Sequence, residues 1–396
     1  MLKTSFSSWP SFDNDEVNAV KNVLLSNKVN YWTGDECRKF ENEFSIWAHS
    51  KYSIALSNGT VALDLALRAL DIGVDDEVIV TSRTFIASVS SIVNAGANPI
   101  FIDVDKNSQN ICPSLIPPAI TENTKAIMCV HLAGFPCEMD EIISIAKENN
   151  LRIIEDCSQA HGALYKGKSV GSIGDIGTWS FCQDKIMTTG GEGGMVTTNS
   201  RVLWSKMWSY KDHGKSWEAM SKNNPSNKFK WVHDSFGTNW RMTEMQAAIG
   251  RIQLRKMHHW HISRKNNAER IIETCKKYPL LYRLPVIDKI FDHAWYKCYI
   301  FINEKNMKDD WTRDRIVEEI NLLSVPCFVG SCSEVYLEKA FDKTKFRPKF
   351  RLKNAKELGE TSLMFLVHPS LTIDEIDRAC TAIKKVSIMA TKVASS

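Results

Sequence analysis

A single lysine, Lys185, stands in a short polar turn between two mostly apolar runs, Ile176 to Phe181 and Met195 to Thr198, and a glycine-dense segment follows it. An amine held at such a turn in a partly desolvated pocket sheds its proton and condenses with an aldehyde, the chemistry of a Schiff-base lysine. A solvated loop lysine is the other reading, since surface is where lysine usually sits. Two more groups bear on the choice. Asp156 follows the largely apolar run Leu151 to Ile154, so its carboxylate should reach the mouth of a sheet with limited access to water. There it either caps a following turn or meets a cation. A protonated pyridine nitrogen is one such cation, because an Asp at that nitrogen keeps the ring charged and lets it act as an electron sink. The turn Ser57-Asn58-Gly59-Thr60 leads from a strand-like run, Tyr52 to Leu56, into a helix with Leu63, Ala66, Leu67 and Leu70 on one face. Free N–H groups and the helix dipole at such a turn favour a phosphate. A plain N-cap by Ser57 or Asn58 explains it equally well.

The elements that must position these residues follow from hydrophobic period. Strand-like runs at Val78 to Val80, Pro99 to Val104, Ala126 to His131 and Leu151 to Glu155 alternate with helical patterns at Ile86 to Asn94 and Met139 to Asn149. Repeated β-α-β of this kind means a mostly parallel sheet flanked by helices, an α/β fold. Ligands in such sheets bind at the carboxyl ends of strands. That rule gathers Ser57 to Thr60, Thr84 with Phe85, His131, Asp156 to Gln159 and Ser180 to Lys185 around one crevice. Strand alternation turns Glu155 away from Asp156. Before this region lie a leading helix over 15–26, with Val17, Val20 and Leu24 at helical spacing, and a helix whose Phe40, Phe44 and Trp47 share a face. After it, the polar stretch Lys211 to Lys230 is a long connection, and a helix runs from Met245 to Met257. From about 262 the pattern is a polar helix, strand-like runs such as Trp295 to Ile302, and a final helix opened by a Thr372–Glu375 capping box. The reading is a large domain over residues 1–260, with an N-terminal arm, and a smaller C-terminal α+β domain over 261–396.

Composition narrows the classes. The chain has 396 residues, 43% hydrophobic and 24% charged, with a formal charge of +4. That is globular composition, and the charge is too small to argue for nucleic acid. The start lacks the apolar core of a signal peptide, and no run approaches the ~18 apolar residues of a membrane span. A soluble, cytoplasmic protein is expected. Eleven cysteines without a C-x-x-C pair argue for reduced thiols and against a zinc site. The spacing of His258, His259 and His261 matches no metal-binding pattern, so no metal is expected.

Six segments in this order resemble the sugar-nucleotide aminotransferases of the fold-type I pyridoxal phosphate class: SNGTVALDLAL at 57–67, TFIAS at 84–88, HLAG at 131–134, IIEDCSQAHGA at 153–163, SFCQDKIMTTGGEGGMVTTN at 180–199 and GTNWRMTEMQAAIG at 237–250. The resemblance implies pyridoxal 5'-phosphate as cofactor. It implies that Lys185 bonds the cofactor and shuttles the substrate proton, Asp156 pairs the ring nitrogen and Gln159 lies near the ring and its hydroxyl. Phe85 would stack on the ring, and Gly59, Thr60 and Ser180 would hold the phosphate. Asn239 would reach the phosphate of the neighbouring subunit in a homodimer with shared active sites. Related deoxysugar dehydratases carry histidine at the lysine position, so Lys185 favours amino transfer. The implied reaction takes the amino group of L-glutamate, releases 2-oxoglutarate and aminates C4 of a nucleotide-linked 4-keto-6-deoxyhexose. The texture is most similar to the branch making dTDP-4-amino-4,6-dideoxyglucose for O-antigen and other surface polysaccharides. Amination at C3 and dehydration of a nucleotide ketosugar are the alternatives. The segment Cys327 to Cys332 departs from the family where sugar or nucleotide would be touched, and Lys211 to Lys215 is a second candidate for the nucleotide phosphates.

Overall fold

The computed structural model describes residues 6–221 and 230–392, so residues 222–229 of the polar stretch noted above lie outside the described residues. Helices α1 (Asn14–Leu25) and α2 (Glu36–Trp47) precede five strands: β1 (Tyr52–Leu56), β2 (Glu77–Thr81), β3 (Asn98–Ile102), β4 (Thr124–Val130) and β5 (Arg152–Asp156). A small hairpin, β6 (Leu164–Tyr165) and β7 (Lys168–Ser169), leads to β8 (Ile176–Ser180) and β9 (Gly194–Thr198). Apart from the hairpin these strands form one sheet of order β1-β9-β8-β5-β4-β2-β3. Its neighbours β8, β5, β4, β2 and β3 are parallel, whereas β9 runs antiparallel to both β1 and β8. The expected mostly parallel sheet is therefore present.

Helices α3 (Gly59–Ala69), α4 (Ala87–Asn94), α5 (Met139–Glu148), α6 (Arg201–Lys211) and α7 (Trp217–Ser221) connect or follow these strands. The buried side of α3 is Ala62, Leu63, Leu65, Ala66 and Leu67, which meets Ile54, Val78 and Val80 from the sheet. On α2, Phe40 and Phe44 are fully buried, and the Phe44 ring centroid lies 5.3 Å from that of Trp179 on β8. Each such aromatic contributes about 1.5–3 kcal/mol by burial. The leading helix differs from its apolar pattern: Val23 and Glu16 face inward, while Val17 and Leu24 are exposed.

Helix α8 (Glu244–Cys275) spans 32 residues and opens on a capping box of Thr243 with Gln246. Sequence pattern suggested two helices here; with neither Gly nor Pro between 251 and 275, nothing interrupts the backbone ladder. Residues 260 and 261 thus lie in the interior of one helix. Beyond it come β10 (Tyr282–Arg283), β11 (Phe291–Asp292), β12 (Cys298–Ile302), α9 (Arg313–Leu322), β13 (Cys327–Phe328), α10 (Lys353–Thr361), β14 (Ser362–Phe365) and α11 (Ile373–Ala390). Four of these strands make an antiparallel sheet of order β10-β12-β14-β13, and β11 pairs with β6 to tie the last third of the chain to the hairpin between β5 and β8. Ala268 and Ile271 of α8 share a core with Ile300, Phe365, Ile316 and Ile383. The predicted Thr372–Glu375 capping box opens α11.

Candidate active site

The carboxyl ends of β1, β2, β5 and β8 surround a cavity of about 880 Å³, closed on its other side by residues from β12 and the segment after β13. At the end of β1, Asn58 caps α3 by accepting a hydrogen bond from Val61 N at 3.0 Å. The cap reading is therefore correct, and it leaves the other N–H groups of the turn available to an anion. The N–H groups of Gly59 and Thr60 lie in the first turn of α3 and have no intrahelical acceptor. A Cβ on Gly59 would fall 2.5 Å from the Cβ of Ser180, so only glycine lets this turn sit against the end of β8. Gly59, Thr60 and Ser180 form a cradle with the shape and donors for a phosphate.

Asp156 is 5% exposed. Its Oδ2 accepts from Ser88 Oγ at 2.8 Å and its Oδ1 from Ser158 N at 3.1 Å. Because Ser88 spends its proton on Asp156, the 2.8 Å contact of Ser88 with Thr84 has the Thr84 hydroxyl as donor. No ion pair satisfies Asp156 among the described residues, so a nearly buried carboxylate aimed into the cleft is left for a cationic group. Gln159 accepts from Ala133 N at 2.9 Å and lines the cleft, while Phe85 presents an aromatic face that is 66% exposed.

Glu155 points the other way, as alternation requires. It accepts hydrogen bonds from Gly171 N, Ile173 N and Gly174 N, and meets His131 Nε2 at 3.1 Å. Burial works to raise its pKa, but these bonds prevail and hold it below the usual carboxylate range. His131, expected at the crevice, is fully buried behind it: its Nδ1 accepts from Cys137 N at 3.0 Å, leaving Nε2–H to donate to Glu155. With Cys157 these two residues form a cluster of potential metal ligands, but both imidazole nitrogens are already engaged. His261 is likewise engaged, 3.1 Å from Asp292 Oδ1.

The turn after β8 brings in Lys185. Its main-chain N–H donates to Cys182 O at 3.1 Å, and its carbonyl accepts from Trp9 Nε1 at 2.7 Å. The Lys185 Nζ lies 5.5 Å from the ring centroid of Tyr296, whose hydroxyl donates to Asp184 Oδ2 at 2.5 Å. Burial acts to raise the Asp184 pKa, yet the adjacent Lys185 and the Tyr296 bond hold it low. The same burial and the Asp184 charge push the Tyr296 phenol up. Tyr296, Lys297 and Tyr299, just before and within β12, complete the wall with Phe328, Gly330, Ser331 and Cys332. The departing segment Cys327 to Cys332 thus reaches the cleft. Sequence reasoning passed over Tyr296 and Lys297; the available signal was a lysine inside the apolar run Trp295 to Ile302, where a charge is costly without a task.

Two groups are elsewhere. Asn239 is exposed and outside this cleft, its backbone bridged to Asp212. Lys211, a candidate for nucleotide phosphates, is instead fully buried, with its Nζ 3.5 Å from the Tyr31 ring centroid and 3.9 Å from Glu41 Oε1. Burial lowers its pKa against the pull of Glu41. Lys215 pairs with Asp212 at 3.1 Å.

Lysine, phosphate cradle, uncompensated aspartate and open aromatic face fit pyridoxal phosphate, which when bound supplies an electron sink for bonds at an amine-bearing carbon. The fold and this cleft define an aminotransferase that works with that cofactor. The chain belongs to the DegT/DnrJ/EryC1/StrS aminotransferase family, whose model it matches over residues 10–384. The crystal structure of the aminotransferase from Psychrobacter cryohalolentis superposes with a TM-score of 0.96 at 60% identity, covering 97% of this chain and 99% of that one. The GDP-perosamine synthase of Escherichia coli O157:H7 is 36% identical over 95% of this chain and 96% of its own. The dTDP-3-amino-3,6-dideoxy-alpha-D-galactopyranose transaminase of Aneurinibacillus thermoaerophilus is 33% identical over 90% and 91%. The protein is a sugar-nucleotide aminotransferase dependent on pyridoxal phosphate. None of its described helices is long and apolar enough to cross a membrane.

Proposed function

We propose that this enzyme moves the amino group of L-glutamate to C4 of a nucleotide-linked 4-keto-6-deoxyhexose, with dTDP-4-dehydro-6-deoxyglucose as the preferred acceptor. The product would be dTDP-4-amino-4,6-dideoxyglucose, for O-antigen or other surface polysaccharide. The observation that carries the amino-transfer part is that Lys185 lines the same cleft as Asp156, which has no ion-pair partner among the described residues. In this reading Lys185 anchors the cofactor and moves the proton at the substrate carbon. Asp156 holds the charge on the ring nitrogen, Gln159 faces the ring hydroxyl and Phe85 covers the ring. Gly59, Thr60 and Ser180 bind the phosphate.

The working unit is a cytoplasmic homodimer in which Asn239 serves the partner's cleft. Its exposed position outside its own cleft supports this assignment. The choice of C4 rests on the likeness of the HLAG and EGGM segments. Relatives named for GDP-linked and dTDP-linked products make a panel the decisive test: dTDP-, UDP- and GDP-linked 3-keto and 4-keto sugars with glutamate, read by product mass and proton couplings. The C4 dTDP product is expected; turnover confined to a 3-keto sugar or another nucleotide would replace it. A Lys185→Ala variant retaining glutamate-dependent turnover would overturn amino transfer by this site.

A further inference from the structure

The cleft holds more positive charge than the proposed reaction has used. Lys185 and Lys297 place their ammonium groups 5.5 and 4.8 Å from the centroid of the same ring, Tyr296. Behind them the guanidinium of Arg264, on α8, is fully buried with its Nε and Nη2 unpaired. The facing carboxylate is Asp184, and it already accepts the Tyr296 hydroxyl. His368 and Tyr299 also face this group, and the histidine is held neutral by burial, with Arg264 and Lys297 lowering its pKa further. Lys297 makes neither an ion pair nor a hydrogen bond within the described residues, although it lines the cavity. Burial, then Arg264, lowers its pKa to about 8. Asp156 and Glu192 also line the cleft, but Asp184 is the carboxylate that acts on Lys297, and with that one engaged the end of the cleft around Lys297 suits an incoming anion.

The substrates offer two kinds of anion. A nucleotide diphosphate is held away from the reacting carbon by the sugar ring. The α-carboxylate of the donor is attached to the very carbon that loses its amine, and so lies beside Lys185. We propose that Lys297 is a carboxylate-binding residue of this cleft that takes the α-carboxylate of the amino donor. The proposal rests on the reading of glutamate as donor. Lys297 is then a charged wall for the donor half of the reaction, and its weak basicity lets it face an uncharged sugar ring in the other half at lower cost.

The test uses cofactor-loaded enzyme and its Lys297→Met and Lys297→Arg variants. Half-saturation for L-glutamate is read from the loss of the bound cofactor's visible absorbance, and 2-oxoglutarate and dTDP binding from calorimetry. Removing one charge-assisted contact should raise glutamate half-saturation about 10- to 100-fold. K297M should weaken 2-oxoglutarate similarly and leave dTDP unchanged, and K297R should recover most of the loss. Use of 4-aminobutanoate, glutamate without its α-carboxylate, should be equally poor in wild type and K297M. In wild type the donor half-reaction should weaken above about pH 8 as Lys297 loses its proton, a limb absent from K297R. Should K297M fail to hold cofactor, Lys297→Gln is read in the same way. Unchanged glutamate half-saturation in a loaded variant overturns the proposal, and weakened dTDP binding alone reassigns Lys297 to the phosphates. If wild type releases no 2-oxoglutarate from glutamate, the donor reading itself fails; if wild type does and K297M matches it, only this inference fails.

Discussion

Trp9 donates its indole N–H to the main-chain carbonyl of Lys185 at 2.7 Å, joining the N-terminal arm to the peptide that carries the cleft's amine. The indole is itself held edge-on by Trp260, with ring centroids 5.0 Å apart, and stacked near His368 at 5.9 Å. Trp9→Phe keeps an aromatic ring there and removes the hydrogen bond. Stability in denaturant titration should fall by about 0.5–1.5 kcal/mol, and turnover should fall at unchanged cofactor content. Equal turnover and stability would show that the arm does not hold Lys185 in place.

Asp156→Asn removes the charge and keeps one acceptor oxygen, which can still take the Ser158 N–H, while the amide NH2 must donate to Ser88 Oγ with the serine proton turned away. Turnover should drop by at least about 100-fold, the scale of a lost electrostatic partner in a water-poor site, with a shift in the absorbance of the bound cofactor. Ser88→Ala removes one donor to the same carboxylate and should cost about tenfold or less.

Gly59→Ala tests the cradle. Its Cβ would collide with Ser180 at 2.5 Å, and relief of the clash must move the turn or the end of β8. The apparent dissociation constant for pyridoxal phosphate should rise about tenfold or more, from a packing strain of about 1–3 kcal/mol, while the melting temperature without cofactor changes less. Retention of wild-type affinity would remove Gly59 from the phosphate site.

Burial pushes His161, His293 and His368 down to pKa values of about 3. In the unfolded chain each binds a proton near pH 6.5. Below that pH the unfolded state therefore takes up protons that the folded state refuses. Their contribution is fully present above pH 6.5 and is lost on acidification toward pH 3, by up to about 1.4 kcal/mol per histidine per pH unit. Denaturant midpoints at pH 7.5, 6.5 and 5.5 should be flat over the first interval and fall over the second. His161→Phe and His368→Phe should each flatten the fall.

Residues at strand ends were the legible part of the site. Gly59, Asp156 and Lys185 each come soon after an apolar run and Ser180 ends one strand, so local pattern located them and the parallel sheet brought them together. His131 obeyed the same rule yet faces Glu155, because only the side-chain bonds at a strand end decide which face a residue serves. Lys211 looked like an exposed phosphate ligand, since the Tyr31 ring that covers it is 180 positions earlier in the chain. Tyr296 and Lys297 arrive on the segment leading into a second sheet, and no local period announces that kind of contact. The continuity of α8 was missed because its buried stripe changes partners midway, from Phe40 and Trp179 to Ile300 and Phe365.

That helix has a mechanical consequence. At 32 residues it is a rod about 48 Å long, packed at one end on α1 and α2 and at the other against α11 and β12, the strand that Lys297 leads into. Both walls of the cleft are mounted on this one strut, so opening them like the halves of a clam would have to bend it. A motion that changed the spacing between Lys185 and Lys297 would have to load that helix.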